Sequence, residues 1–305
     1  MLEHLTTESR NPASEGVDAL SALEIVRLIN LEDAKVAAAV ADESDAIAQA
    51  IDVIADRLAR GGRLIYVGAG TSGRLGILDA VECPPTFNTN PSQVVGLIAG
   101  GPRALTSAVE GAEDQPALAI DDLQGLRLTN VDVVVGIATS GRTPYVLGGL
   151  EYARSIGAFA VGLSCNRDPE LATRSDLTIT PVVGPEVVSG STRMKAGTAT
   201  KMVLNTLTTG AMIRLGKTYG NLMVDLRATN SKLADRARRI VRAITQLSEH
   251  ESEKLLRNCG GEVKTAIVSH YTGYSSDEAR QLLGATKGHL RKALEQHSAG
   301  SLTAR

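Results

Sequence analysis

The stretch RLIYVGAGTSGRLG, residues 63–76, decides the fold. Its first half is a continuous apolar run, which is typical of a strand buried on both faces of a parallel sheet. Its second half is a glycine-rich turn with Gly68-x-Gly70-x-x-Gly73 spacing, and a helical pattern follows at 72–82. A strand, a glycine turn and a helix in this order predict the first unit of a doubly wound α/β fold.

Four more short apolar runs have the character of buried strands. They are VVGLIAG (94–100), DVVVGIAT (132–139), AFAVGLSC (158–165) and DLTITPV (176–182). Helical patterns separate the first four strands, at 72–82, 103–123 (as one helix or two) and 143–156, and a polar, partly helical connection precedes the fifth. This alternation predicts a parallel five-stranded sheet flanked by helices.

Helical patterns also lie on both sides of the predicted sheet. Before it come a helix opened by the capping box Ser21-x-x-Glu24 and an amphipathic helix at 45–59. After it come a loop that leads into a long helix at 190–216, another helix at about 223–245, and short helices from Ser248 onward. We therefore predict an N-terminal helical arm (1–56), a central α/β domain (57–222), and a long helix with a small helical C-terminal module (223–305).

Composition excludes several classes of protein. The chain has 305 residues, a formal net charge of −2 and 3% aromatic residues with no Trp, which argues against a nucleic-acid surface. Its three Cys lack CxxC spacing and its five His lack HxxxH spacing, so we expect neither a disulfide framework nor a metal site. We also expect no signal peptide and no membrane span, because the sequence lacks the apolar runs that both require.

Two strand-ending loops carry hydroxyl groups beside glycine. Thr71 and Ser72 follow the first strand, and Ser140-Gly141-Arg142-Thr143 follows the third. Hydroxyls and backbone N–H groups at a helix N-terminus suit a phosphate. A dinucleotide is disfavoured because no acid ends the second strand at IAGGPR, and an ordinary tight turn is the structural alternative. Two such loops on neighbouring strands favour a single phosphomonoester site.

A third loop, SGSTRMKAGTATK (189–201), offers Ser191 and Lys195 as further phosphate ligands, with ordinary helix capping as the alternative. Three glutamates are candidates for general acid–base chemistry. Glu82 is predicted at a helix C-terminus, where it opposes the macrodipole, directly before a rigid Cys-Pro-Pro turn. Glu110 and Glu113 follow the second strand in VEGAED, at the same predicted sheet edge.

Longer strings extend these motifs, among them RLIYVGAGTSGRLGILDAVECPPTF, AVEGAED, VVVGIATSGRTPYV, GSTRMKAGTATK and GNLMVDLRATNSKL. The phosphate loops resemble the sugar isomerase (SIS) domain, and the strings together resemble the N-acetylmuramic acid 6-phosphate etherases over nearly the whole chain. That family is similar to the glucokinase regulatory proteins, which bind sugar phosphates without turnover. The resemblance implies a cytoplasmic homodimer that uses no metal or organic cofactor and cleaves the D-lactyl ether of its substrate.

The resemblance also implies roles for individual residues. It assigns an acid/base role to Glu82 and a second active-site role to Glu113, while Glu110 matches a ligand-binding carboxylate of the regulators. Phosphate-holding serines fall on Ser72 and Ser140, with neighbours at Thr71, Gly141 and Thr143. We expect elimination of lactate followed by addition of water. The alternatives are an aldose–ketose sugar-phosphate isomerase and a non-catalytic sugar-phosphate-binding regulator.

Overall fold

The computed structural model describes residues 5–226 and 231–303. The chain forms two compact units. The first comprises Met1–Val81 and Pro91–Thr209, and the second comprises Glu82–Asn90 and Gly210–Arg305. The domain boundaries that the sequence suggests, after residues 56 and 222, remain a prediction.

The first unit contains the predicted five-stranded parallel sheet. Its strands are β1 (Leu64–Gly68), β2 (Val94–Ile98), β3 (Val133–Ile137), β4 (Phe159–Leu163) and β5 (Leu177–Ile179). Their order is β2-β1-β3-β4-β5, and every pairing is parallel. The strand order therefore reverses at β1, which is the position where open α/β sheets bind ligands beyond their carboxyl ends.

Helices flank this sheet, as predicted. They are α1 (Ala22–Asp33), α2 (Val36–Ala41), α3 (Ser44–Ala59), α4 (Gly70–Phe87), α5 (Pro116–Gly125), α6 (Pro144–Ser155) and α7 (Lys195–Arg214), of which α4 and α7 continue into the second unit. The capping box at the start of α1 is confirmed. Over 103–123, where the sequence predicts one helix or two, a 3-10 helix forms at Pro102–Leu105 and α5 follows at Pro116–Gly125.

The core of the first unit consists of apolar side chains from the sheet and from α5 and α6. Ile65, Val134, Leu123 and Leu150 are representative, and each is fully buried. Burial of such side chains stabilises a fold by about 1.5–3 kcal/mol each. This well-packed core thus supports the sheet edge that carries the loops.

A buried carboxylate joins two helices to strand β1. Asp79 of α4 accepts hydrogen bonds from Tyr66 Oη on β1 (2.8 Å) and from Asn205 Nδ2 (2.6 Å) and Thr208 Oγ1 (3.2 Å) on α7. Asp79 is 5% exposed. Because a buried carboxylate is costly unless its oxygens are satisfied, these bonds fix the relative positions of β1, α4 and α7.

One local prediction was wrong. Pro84 and Pro85 do not form a turn after Glu82 but lie inside α4, which continues to Phe87. A proline within a helix removes an intrahelical hydrogen bond, but it does not always end the helix. The helix ends instead where Asn88, with a positive φ of 52°, leaves the helical conformation and donates its N–H to the Pro84 carbonyl (3.0 Å).

The second unit is helical apart from a short hairpin. Its elements are β6 (Thr218–Tyr219), β7 (Leu222–Met223), α8 (Ser231–Thr245), α9 (Glu249–Asn258), α10 (Val263–Thr272), α11 (Ser276–Ala285) and α12 (Leu290–Thr303). The predicted helix from about 223 was placed too early, since residues 222–223 pair in the hairpin and 227–230 lie outside the described residues. The predicted short C-terminal helices are confirmed. Within the described ranges, none of the helices combines the length and apolar character needed to cross a bilayer.

Candidate active site

The first phosphate loop joins β1 to α4 and forms one wall of a cleft at the carboxyl edge of the sheet. Strand β1 ends at Gly68 and α4 begins at Gly70, so Thr71 and Ser72 lie in the first helical turn. Both residues line the cleft. The first N–H groups of a helix have no intrahelical partner and carry the positive end of its dipole, so this turn can bind an anion.

The second loop lies next to the first because β1 and β3 are paired neighbours. Ser140 and Thr143 line the same cleft, and Thr143 immediately precedes α6. Gly141 has a positive φ of 74°, and a Cβ there would lie 2.3 Å from Cβ of Pro169. Only glycine fits this turn, so Gly141 fixes the course of the loop between Ser140 and Thr143. The prediction that the two loops are adjacent is confirmed.

Glu113 lines this cleft, whereas Glu110 is not among the described residues that line it. Glu113 lies in the exposed turn before α5, and its carbonyl accepts a hydrogen bond from the N–H of Tyr145 in α6 (2.9 Å). This bond attaches the Glu113 main chain to the helix that begins at the second phosphate loop. The cleft has a volume of about 510 Å³ and is open to solvent, which is enough room for a monosaccharide phosphate.

The third loop contributes Thr192 to the cleft, together with Gly197 and Thr200 of α7. Of the two residues proposed from the sequence, Ser191 is half-buried in this loop but is not among the described residues lining the cleft. Lys195 has a different role from the predicted one. It is 1% exposed, and its Nζ lies 2.6 Å from Oε2 of Glu32 in a buried ion pair. We therefore do not retain Lys195 as a phosphate ligand.

The Lys195 ion pair belongs to a larger buried network. Glu32 also accepts hydrogen bonds from Asn11 Nδ2 (2.9 Å) and Lys35 Nζ (2.5 Å). Burial by itself raises the pKa of Glu32, but the hydrogen bonds from Lys195, Lys35 and Asn11 outweigh it and lower this pKa to about 2. Glu186, 1% exposed, accepts from the N–H groups of Lys195 and of the next residue and so caps α7. The loop before α7 is thus held by buried charges.

Glu82 lies on α4 and is exposed. Glu82 does not occupy the helix C-terminus that the sequence predicts, because five further residues of α4 follow it. Glu82 therefore remains a candidate acid because it matches the family motif DAVECPP, and not because of its position in the helix.

Several residues that line the cleft carry no signal in the sequence, among them Glu8 and Thr200. Glu8, far upstream of the sheet, lines it, and so does Thr200 on α7. No local pattern marks either residue, since Glu8 precedes the first predicted helix and Thr200 occupies an ordinary helical position. Only the tertiary fold places them beside the phosphate loops.

The close approach of α4 to the sheet makes Gly73 a sensitive position. A Cβ at Gly73 would lie 2.6 Å from Cγ1 of Ile98 and 2.8 Å from the carbonyl oxygen of Gly68. We expect Gly73→Ala to displace the first turn of α4 and weaken phosphate binding at least tenfold, as measured by titration calorimetry with a sugar 6-phosphate. Gly125→Ala is the control, because its Cβ would meet nothing within 4 Å. Unchanged affinity in Gly73→Ala would show that this turn does not bind the phosphate.

Comparison with known proteins agrees with this geometry. The glucokinase regulatory protein N-terminal SIS domain matches residues 46–154, and the C-terminal lid domain of glucokinase regulatory protein matches residues 220–262. An N-acetylmuramic acid 6-phosphate etherase from Rhodopirellula baltica is 64% identical over 96% of this chain and 97% of its own length. An etherase from Streptomyces avermitilis is 59% identical over 96% of this chain and 94% of its own length. An etherase from Vibrio cholerae is 56% identical over 97% of this chain and 98% of its own length. This chain belongs to the N-acetylmuramic acid 6-phosphate etherase family.

Proposed function

We propose that this chain is a carbon–oxygen lyase that removes the D-lactyl group from N-acetylmuramic acid 6-phosphate, giving N-acetylglucosamine 6-phosphate and D-lactate. The observation that carries the proposal is the 64% identity to an etherase over 97% of that protein's length, in a chain whose cleft combines two predicted phosphate loops with acidic residues. This reaction belongs to the recycling of cell-wall amino sugars. We also infer a cytoplasmic location and a homodimer, both of which the family resemblance implies. Light scattering tests the homodimer, because it measures the mass of the particle in solution.

The phosphate loops explain how the substrate is held. Thr71, Ser72, Ser140 and Thr143 line one cleft, and two helices begin there. In our proposal their hydroxyls and the free N–H groups bind the 6-phosphate. Binding energy at this end of the sugar then fixes the positions of C2 and C3, where the chemistry occurs.

Elimination is the chemically accessible route to cleavage. An alkoxide is a poor leaving group for direct displacement at a secondary carbon. When the sugar ring opens, however, the C1 aldehyde acidifies the C2 proton. A base removes this proton, the electron pair forms the C2=C3 double bond, and the C3–O bond breaks as an acid protonates the lactate oxygen. Water then adds at C3, its proton passes to the former acid, and the protonated base returns a proton to C2.

The two halves of this scheme require carboxyl groups in opposite protonation states. We assign Glu82 as the acid that protonates the departing lactate and later activates water. We assign Glu113 as the base at C2 or as an aid to ring opening. Glu113 is supported by its place in the cleft, whereas Glu82 is supported by its match to the family motif.

Isotopic labelling tests the reaction. When the enzyme acts in deuterated water, we expect N-acetylglucosamine 6-phosphate to carry deuterium at C2, because that proton is exchanged during elimination. In ¹⁸O-labelled water, we expect the label in the C3 hydroxyl and none in lactate, as judged by mass spectrometry. Label in the lactate would mean displacement at the lactyl carbon and would contradict the scheme. Ketose formation without lactate would instead indicate an isomerase.

A further inference from the structure

We propose that Glu8, in the segment before the first helix, is a substrate-binding residue of the etherase cleft that accepts hydrogen bonds from the uncharged part of the amino sugar. The inference rests on the proposed function and assigns to it a residue that no family motif marked. Glu8 lines the same cleft as Ser72, Ser140 and Glu113. Among the described residues, none pairs with its carboxylate, so its oxygens are available to a ligand.

The main chain around Glu8 is fastened to the end of the strand that carries the second phosphate loop. The N–H of Thr7 donates to Oδ1 of Asn166 (3.3 Å), and Nδ2 of Asn166 donates to Oγ1 of Thr7 (3.1 Å) and to the carbonyl of Thr139 (2.8 Å). Thr7 and Asn166 are each 1% exposed. Because Thr139 immediately precedes Ser140, these buried bonds fix Glu8 relative to the phosphate site.

The other side of the same segment is fastened to the third loop. Ser189 Oγ donates to the carbonyl of Glu8 (3.0 Å), and Ser14 Oγ donates to the carbonyl of Val187 (2.8 Å). A Cβ at Gly190, whose φ is 75°, would lie 3.3 Å from Oε2 of Glu8, which places the carboxylate beside this loop. A binding group held on both sides loses little freedom when the ligand arrives, which favours affinity.

The charge of Glu8 decides which part of the substrate it contacts. An ionised carboxylate accepts hydrogen bonds and donates none, so it repels a phosphate and suits hydroxyl or amide N–H donors. N-acetylmuramic acid 6-phosphate offers both kinds of donor on its sugar ring and acetamido group. Glu8 therefore complements the phosphate loops, which bind the opposite end of the molecule.

Binding of two probes separates this role from a structural one. By titration calorimetry we expect Glu8→Ala to weaken N-acetylglucosamine 6-phosphate binding about 10- to 100-fold, the range for a lost hydrogen bond to a charged group. Affinity for inorganic phosphate, which uses the loops alone, should stay within about twofold of the wild type. Glu8→Gln keeps one acceptor oxygen, so its affinity for N-acetylglucosamine 6-phosphate should lie between those of the wild type and Glu8→Ala. In steady-state assays with N-acetylmuramic acid 6-phosphate, KM should rise while kcat changes little.

The control is Glu15→Ala, an exposed glutamate of the same segment that is not among the described cleft-lining residues. It should behave as the wild type in both titrations. The proposal is overturned if Glu8→Ala binds N-acetylglucosamine 6-phosphate normally, or if it loses affinity for inorganic phosphate equally, since the residue is then neutral or merely structural. Absence of lactate release by the wild type would refute the proposed function separately, because the calorimetric comparison needs no turnover.

Discussion

We expect replacement of Glu82 with Gln to lower kcat and kcat/KM for lactate release together, by about 10³-fold, within the range for loss of a general acid or base. Gln preserves the shape of the side chain but cannot donate a proton to the lactate oxygen. KM should change little, because the phosphate loops still bind the substrate. The measurement is a steady-state assay of D-lactate. Glu295→Gln, an exposed glutamate of α12, is the matched control and should retain full activity.

Deuterium exchange at C2 distinguishes the roles assigned to the two glutamates. If Glu82 supplies only the proton for lactate, its Gln variant still removes the C2 proton, so substrate recovered from deuterated water gains deuterium at C2. Glu113→Gln, which lacks the proposed base, should release little lactate and show little exchange. The opposite pattern would exchange the two assignments. Near-native turnover in both variants would place the acid–base chemistry on other residues.

The fold could be predicted because strands buried on both faces have a simple sequence pattern. Runs such as LIYVG (64–68) and VVVGI (133–137) are apolar at every position, as a strand covered on both faces requires, and their spacing left room for the crossover helices. The loops of the cleft were predictable for a related reason. Parallel strands bring all their carboxyl ends to one edge, so hydroxyl residues after two neighbouring strands meet at one place.

The errors concern residues whose partners lie far away in the sequence. Lys195 beside two hydroxyl residues looks like a phosphate ligand, and only the fold brings Glu32, 163 positions earlier, to its ammonium. Glu8 enters the cleft through contacts with Asn166 and Ser189 that no local pattern indicates. Pro84 and Pro85 show the limit of a local rule, since a helix packed along much of its length can continue through two prolines.

Replacing Lys195 with Met should give the largest loss of stability in the first unit. The change leaves the Glu32 carboxylate without its buried cation, and removal of one partner from a buried ion pair costs about 3–5 kcal/mol. Lys35→Met is the matched control. Lys35 binds the same carboxylate, but its side chain is 60% exposed, so we expect a loss below about 1 kcal/mol. The measurement is urea unfolding, and the free energies of unfolding are compared for the transition in which the sheet unfolds.

The pH dependence of that loss identifies its cause. In the wild type the pKa of Glu32 is lowered to about 2, below the value of about 4.3 in an unfolded chain, so the ion pair stabilises the fold above pH 4.3 and this contribution disappears as the pH falls toward 2. In Lys195→Met the carboxylate lacks its buried cation, so its pKa is higher than in the wild type and less stability is lost as the pH falls. The difference in stability between the two proteins should therefore shrink steadily from pH 6 to pH 3. A difference that stays constant over this range would show that Lys195 stabilises the fold by packing alone, and that its charge does not hold the loop before α7.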